Sequence, residues 1–161
     1  MFNIISFNNY QDRLAALYAA VSSNLKNEDD IICGLSQVSA IINVYLDRIN
    51  WAGFYLIKNG ELILGPFQGL PACTRIQIGR GVCGTAAKEE KMIVVEDVDA
   101  FPGHIACDSA SRSEIVLPIF RNGDLFGVLD IDSPEPARFT KEDAECLDRV
   151  AEMITDFVSR V

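Results

Sequence analysis

Three of the five cysteines lie at or beside turns and loops, where a thiol can do chemistry. Cys73 follows Leu70-Pro71-Ala72. Cys83 is two residues past the Gly79-Arg80-Gly81 turn. Cys107 sits within Pro102-Gly103-His104-Ile105-Ala106-Cys107-Asp108-Ser109. Cys83 is expected at or near a helix start, where free backbone N–H groups can stabilise a thiolate. Cys107, with hydroxyl and amide donors around it, reads as an exposed, reactive thiol. Cys33 and Cys146 fall inside amphipathic segments and read as small buried hydrophobes.

Three kinds of chemistry are open to such cysteines. Zinc fits poorly, because there is no C-x-x-C pair, the spacings are 10 and 24 residues, and His104 is the one histidine. No metal is therefore expected. A papain-like nucleophile needs a histidine base, and His104, three residues from Cys107, reads better as a loop hydrogen-bonder. Thiol–disulfide cycling fits best, since it needs one activated thiolate and a second thiol within reach.

An acidic cluster accompanies the thiols. Asp130 and Asp132 in Leu129-Asp130-Ile131-Asp132 have period two, so on a strand both point to one face. Glu114 opens the preceding strand of the same hairpin. A two-residue Asn122-Gly123 turn would set Glu114 opposite Ile131, away from the aspartates. A three-residue Arg121-Asn122-Gly123 loop with a bulge would set it opposite Asp130. In that second register like charges face each other, which raises a carboxyl pKa and suggests proton holding or cation binding. Trp51 and Tyr55 share one face of the first strand and are candidates to line the same pocket.

Gly79-Arg80-Gly81-Val82-Cys83-Gly84 matches the G-x-G-x-x-G dinucleotide fingerprint, with Asp97 18 residues after Gly79. The surrounding strands read as hairpins and not as βαβ units, so the glycines are assigned to a tight turn.

The elements that must position these groups follow from periodicity. Residues 9–26 and a segment starting near Asp29 read as amphipathic helices. Residues 51–57 and 61–67 form a hairpin about Asn59-Gly60, and 73–78 another strand. A glycine turn at 79–84, a helix near 84–91 and a strand at 92–96 follow. Residues 97–113 show neither period, and a structureless stretch of that length is usually functional. Strands 114–120 and 125–131 form a second hairpin. The last helix opens on a Thr140/Asp143 capping box. The chain of 161 residues contains no linker or repeat and reads as one α+β domain over 1–161, with a mainly antiparallel sheet and the N- and C-terminal helices on one side. Its 23 acidic and 14 basic residues, a net charge of −9, argue against a nucleic-acid partner. No segment approaches the ~20 apolar residues of a membrane span. The start MFNIISFNNYQDR lacks a basic n-region, and an odd cysteine count without an export signal predicts reduced thiols in the cytoplasm.

The strings WAGFY (51–55), GPFQGLPAC (65–73), GRGVCGTAA (79–87), VEDVDAFPGHIACDSASRSEIVLPI (95–119) and GVLDIDSP (127–134) resemble the free methionine-(R)-sulfoxide reductases, single-domain GAF proteins. The resemblance runs from about Trp51 to Phe139, and the flanking helices fit the GAF plan. It implies that Cys107 attacks the sulfoxide sulfur of free methionine-(R)-sulfoxide. Glu114 or Asp130 would protonate the departing oxygen. The resulting sulfenic acid would condense with a second thiol, Cys83 first and Cys73 second or as a relay. Thioredoxin or a similar dithiol would regenerate the enzyme, with no cofactor. Asp132, with Glu114, would hold the substrate ammonium, and Trp51 and Tyr55 the methyl end of the thioether. A homodimer through the terminal helices is one arrangement this family suggests. The rival reading is a non-catalytic GAF module that binds a small molecule or senses redox state.

Overall fold

The structure is a computed structural model and describes residues 6–104 and 108–161. Two helices come first, α1 (Tyr10–Leu25) and α2 (Ile31–Tyr45). Each starts where a side chain takes up a free N–H: Asn9 accepts from Asp12 N at 2.8 Å, and Asp30 from Cys33 N at 2.8 Å. The strands are β1 (Trp51–Lys58), β2 (Glu61–Gly69), β3 (Arg75–Gln77), β4 (Ile93–Val95), β5 (Ser113–Arg121) and β6 (Asp124–Ser133). Helix α3 (Gly81–Glu89) joins β3 to β4, a 3-10 turn covers Val98–Ala100, and α4 (Lys141–Arg160) closes the chain. The expected 84–91 helix thus starts three residues earlier, and among the described residues of the 97–113 stretch Val98–Ala100 form a 3-10 turn.

The sheet order is β3-β2-β1-β6-β5-β4, with every neighbouring pair antiparallel. Period-two alternation splits its side chains between two cores. Ala52, Phe54, Leu56, Ile115, Leu129 and Ile131 pack under α1, α2 and α4. Trp51, Tyr55, Val116 and Val128 point to the other face, where α3 lies. The terminal helices share one side of the sheet, as expected. Among the described residues no helix is long and apolar enough to cross a membrane.

The β5–β6 register is neither of the two that the turn chemistry allowed. Asn122 (φ 53°) and Gly123 (φ 91°) form a two-residue turn between Arg121 and Asp124, which by itself would bring Glu114 opposite Ile131. The pairing then shifts between Ile119 and Phe120, leaving Phe126 without an opposite residue. Glu114 therefore pairs with Asp132, and all three carboxyls lie on one face.

A buried ionic knot fastens the helices to this end of the sheet. Arg138 is 2% exposed and donates to Asp143 Oδ2 (2.9 Å), Asp47 Oδ1 (2.9 Å) and Tyr10 Oη (2.8 Å). Asp143 also forms the capping box with Thr140 and accepts from the Tyr10 hydroxyl. The Arg138 N–H donates to Ser113 Oγ at 3.3 Å, one residue before Glu114.

Candidate active site

The site lies on the α3 face, at the sheet end where β1 and β5 begin and β6 finishes. Register brings Glu114, Asp130 and Asp132 together there: Trp51 pairs with Asp132, Gly53 with Asp130, and Glu114 with Asp132. The pocket is also lined by Tyr55 from β1, Ile76 from β3, Arg80, Gly81, Val82 and Cys83 from the start of α3, and His104, Asp108 and Ser111 from the loop before β5.

Burial sets the electrostatics. Glu114 and Asp130 are each 6% exposed. Desolvation pushes the Asp130 carboxyl up to about 6. Burial, and then the Asp130 and Asp132 charges, hold Glu114 well above the usual carboxylate range. Asp132 is raised by burial and by the Asp130 and Asp108 charges. Asp130 Oδ1 is buried without a hydrogen-bond partner. Such a group can retain a proton near neutral pH and donate it, or receive a cation once ionised.

Helix α3 brings the only sulfur described in the pocket lining. Cys83 is its third residue, and its thiol faces Glu114 Oε1 at 3.8 Å. The helix start was expected to favour a thiolate here. Instead, burial and the Asp130 and Glu114 charges push the thiol well above its ordinary value. Nearby carboxyls in a dry pocket outweigh partial charges at one helix end.

The glycine fingerprint is structural. Gly79 has φ 83°, and a Cβ on Gly84 would lie 2.4 Å from Gln77 O, so α3 can pack onto β3 only without one.

The other predicted residues take distinct places. Tyr55 lines the pocket and donates from Oη to Cys73 O at 2.9 Å. Trp51 is 2% exposed and stands behind Tyr55, with ring centroids 5.8 Å apart, and donates from Nε1 to Leu70 O at 3.1 Å. It stacks on Phe67 at 5.3 Å on its other side, and is not among the residues lining the cavity. Cys73 is disulfide-bonded, whereas Cys83 is a free thiol. Cys107 lies outside the described residues. Cys146 is buried as expected, but Cys33 is exposed, because its position in the first turn of α2 faces solvent.

Sequence reasoning missed Asn50, Arg80, Asp108 and Ser111. Asn50 stands just before β1, and its Nδ2 donates to Asp108 Oδ2 (2.9 Å) and Ser111 Oγ (3.1 Å). Its N–H donates to Asp132 O at 3.0 Å. Asn50 thus fastens the loop after Cys107, through its side chain, to the strand end that carries Asp132, through its backbone N–H. Arg80 lies inside the discounted glycine turn, immediately before α3, and lines the pocket.

The GAF domain family model matches residues 29–155. A free methionine-R-sulfoxide reductase of Escherichia coli (strain K12) is 51% identical over 123 residues, covering 76% of this chain and 74% of the relative. The structure of fRMsr of Staphylococcus aureus in complex with substrate superposes with a TM-score of 0.86 at 46% identity, covering 98% of this chain and 99% of that one. The free methionine-R-sulfoxide reductase from Neisseria meningitidis in complex with its substrate gives a TM-score of 0.87 at 40% identity, covering 99% and 97%.

Proposed function

The chain belongs to the GAF-domain free methionine-R-sulfoxide reductases, and from that premise we propose that it reduces free methionine-(R)-sulfoxide to methionine with its own thiols. The observation that carries the reading is the cluster of Glu114, Asp130 and Asp132 carboxyls around one pocket, the first two buried, with a disulfide-bonded cysteine, Cys73, whose carbonyl accepts from the pocket residue Tyr55.

The substrate has three features to recognise. Asp132 and Glu114 take its ammonium, in a pocket where charge is poorly solvated and an ion pair is correspondingly strong. The first turn of α3 and Arg80 take its carboxylate, since a helix start presents unpaired N–H groups. Tyr55, backed by Trp51, packs against the thioether methyl group. A methionine sulfoxide inside a protein has no free ammonium and leaves the acidic group unpaired, so the free amino acid is selected.

In the chemical step the Cys107 sulfur attacks the sulfoxide sulfur. The sulfoxide S–O bond breaks and the oxygen passes to Cys107 as a sulfenic hydroxyl, releasing methionine. Attack requires proton donation to that oxygen, and either Glu114, held protonated by burial and the neighbouring charges, or the protonated fraction of Asp130 supplies it. A second thiol then attacks the sulfenic sulfur, an S–S bond forms and water leaves. We assign that thiol to Cys73, which is disulfide-bonded, ahead of Cys83, which is free and sealed among carboxyls. A dithiol protein such as thioredoxin returns two electrons by exchange.

Coupled NADPH oxidation through thioredoxin reductase and thioredoxin tests the reading. Turnover is expected with the free R-sulfoxide, and none with the S-epimer or an N-blocked peptide. Absence of turnover with either epimer would leave a non-catalytic binding module instead.

A further inference from the structure

We propose that Cys83, Glu114 and Asp130 form a binding site for Zn2+, and that an ion held there keeps the substrate's ammonium out of the pocket. Metal binding at these residues stands apart from the reductase reading; its effect on turnover rests on that reading.

The geometry is the first argument. One ligand atom from each of the three residues lies within 4.8 Å of the other two, and all three residues are buried. The Cys83 Sγ to Glu114 Oε1 distance is 3.8 Å. A tetrahedral zinc with bonds of about 2.0–2.3 Å sets its ligand atoms roughly 3.3–3.7 Å apart, so the Cys83–Glu114 pair is close to coordinating spacing and the other pairs need to close by at most about 1.5 Å. The second argument is the orphan. Asp130 is 6% exposed, lines the pocket, and has Oδ1 buried with no hydrogen-bond partner. A buried carboxylate oxygen without a partner is costly unless something fills its coordination. The third is space. The pocket has about 30 Å³ free, room for an ion with one water.

Ligand chemistry selects the metal. One thiolate with two carboxylates suits a borderline-soft ion, and the sulfur discriminates against Mg2+ and Ca2+. Three protein ligands leave a fourth position facing the cavity, where a water would sit. The three cysteines at turns and loops have no zinc-like spacing in the sequence. This set draws one cysteine from α3 and two carboxyls from β5 and β6, so only the fold assembles it.

Co2+, a spectroscopic substitute for Zn2+, tests the site on the full chain with the Cys73 disulfide intact, so that Cys83 is the pocket's described free thiol. One Co2+ per chain is expected, with a thiolate-to-cobalt charge-transfer band and displacement by Zn2+. Cys83→Ser should abolish the band and weaken binding at least about tenfold. Asp130→Asn should weaken binding about as much while keeping the band, and Cys33→Ser should change neither. Thermal melts of each variant check that the fold is retained. No stoichiometric binding, or a band that survives Cys83→Ser in folded protein, would overturn the proposal. Zn2+ should also raise the apparent KM for the R-sulfoxide. A Cys83-dependent band without reductase turnover would sink the functional reading alone, and turnover without the band would sink this one alone.

Discussion

Glu114 and Asp132 face each other across the β5–β6 ladder, so two carboxyls from neighbouring strands share one buried pocket wall with Asp130. Like charges directly opposite on a sheet are destabilising, and burial compounds the cost. An arrangement of this kind is best explained by what it binds or donates, and it supports several quantitative expectations.

If Glu114 supplies the proton or grips the ammonium, Glu114→Gln should lower kcat/KM by about 10²–10⁴-fold. The amide is nearly isosteric and removes a buried charge, so thermal stability should hold or rise. Steady-state kinetics beside a melting curve checks both. An unchanged rate would return Glu114 to a purely structural role.

Stability should depend on pH in a particular sense. Burial pushes Asp130 up to about 6, above its unfolded value of 3.8, and Glu114 and Asp132 move in the same direction. The folded state then binds protons more tightly than the unfolded state. The penalty is absent below the ordinary carboxylate range and complete above the folded values, so this cluster costs stability as pH rises through about 4 to 6 and beyond. Asp130→Asn should therefore stabilise the protein at pH ~8 by on the order of 1–3 kcal/mol, and by little at pH ~4. Denaturant melts at both pH values measure the difference, and a variant effect independent of pH would contradict the assignment.

The thiols are separable by stoichiometry. Without any dithiol, Cys73→Ser should release about one methionine per chain and accumulate a sulfenic acid that dimedone traps on Cys107. Cys107→Ser should release none. Cys83→Ser should still form the intramolecular disulfide, because its sulfur is not the one held in a disulfide here. Mass spectrometry after a single turnover reads each outcome. Dimedone trapping in Cys83→Ser but not in Cys73→Ser would reverse the order of the two thiols.

Asn50 is a positioning residue, acting through Asp108 and Ser111. Asn50→Ala should cut kcat by roughly tenfold or more with a smaller change in KM, because it loosens the loop beside Cys107 without touching the ammonium site. Asn50→Asp would set a carboxylate against Asp108 and should be worse than alanine at neutral pH. Equal losses in kcat from alanine and aspartate, tracking lost stability, would make Asn50 merely structural.

Much of the molecule was legible before folding was considered. Apolar spacing located the two N-terminal helices, the last helix and the two hairpins, because a helix or a strand buries one face and that face repeats locally. The same period placed Asp130 and Asp132 on one face. Thr140 and Asp143 announced the start of α4, since capping is a contact between residues three apart. The string around Cys83, Cys107 and the LDID carboxyls pointed to the chemistry.

The tertiary structure decided what depends on residues far apart in the chain. The bulge at Phe126 chose the partner of Glu114, and no turn rule specifies a shift three residues away from the turn. The packing of α3 over the carboxyls raised the Cys83 thiol, where its place in a helix alone argued the reverse. Asn50 and Asp108 meet only because β1 begins beside the end of β6. Cys33 faces water, since an amphipathic stripe does not say how far the neighbouring helices extend over it. Periodicity is a local property set by backbone geometry, so the sequence carries it openly. Register, burial and the meeting of charges are sums over the whole chain, and those come into being only when it folds.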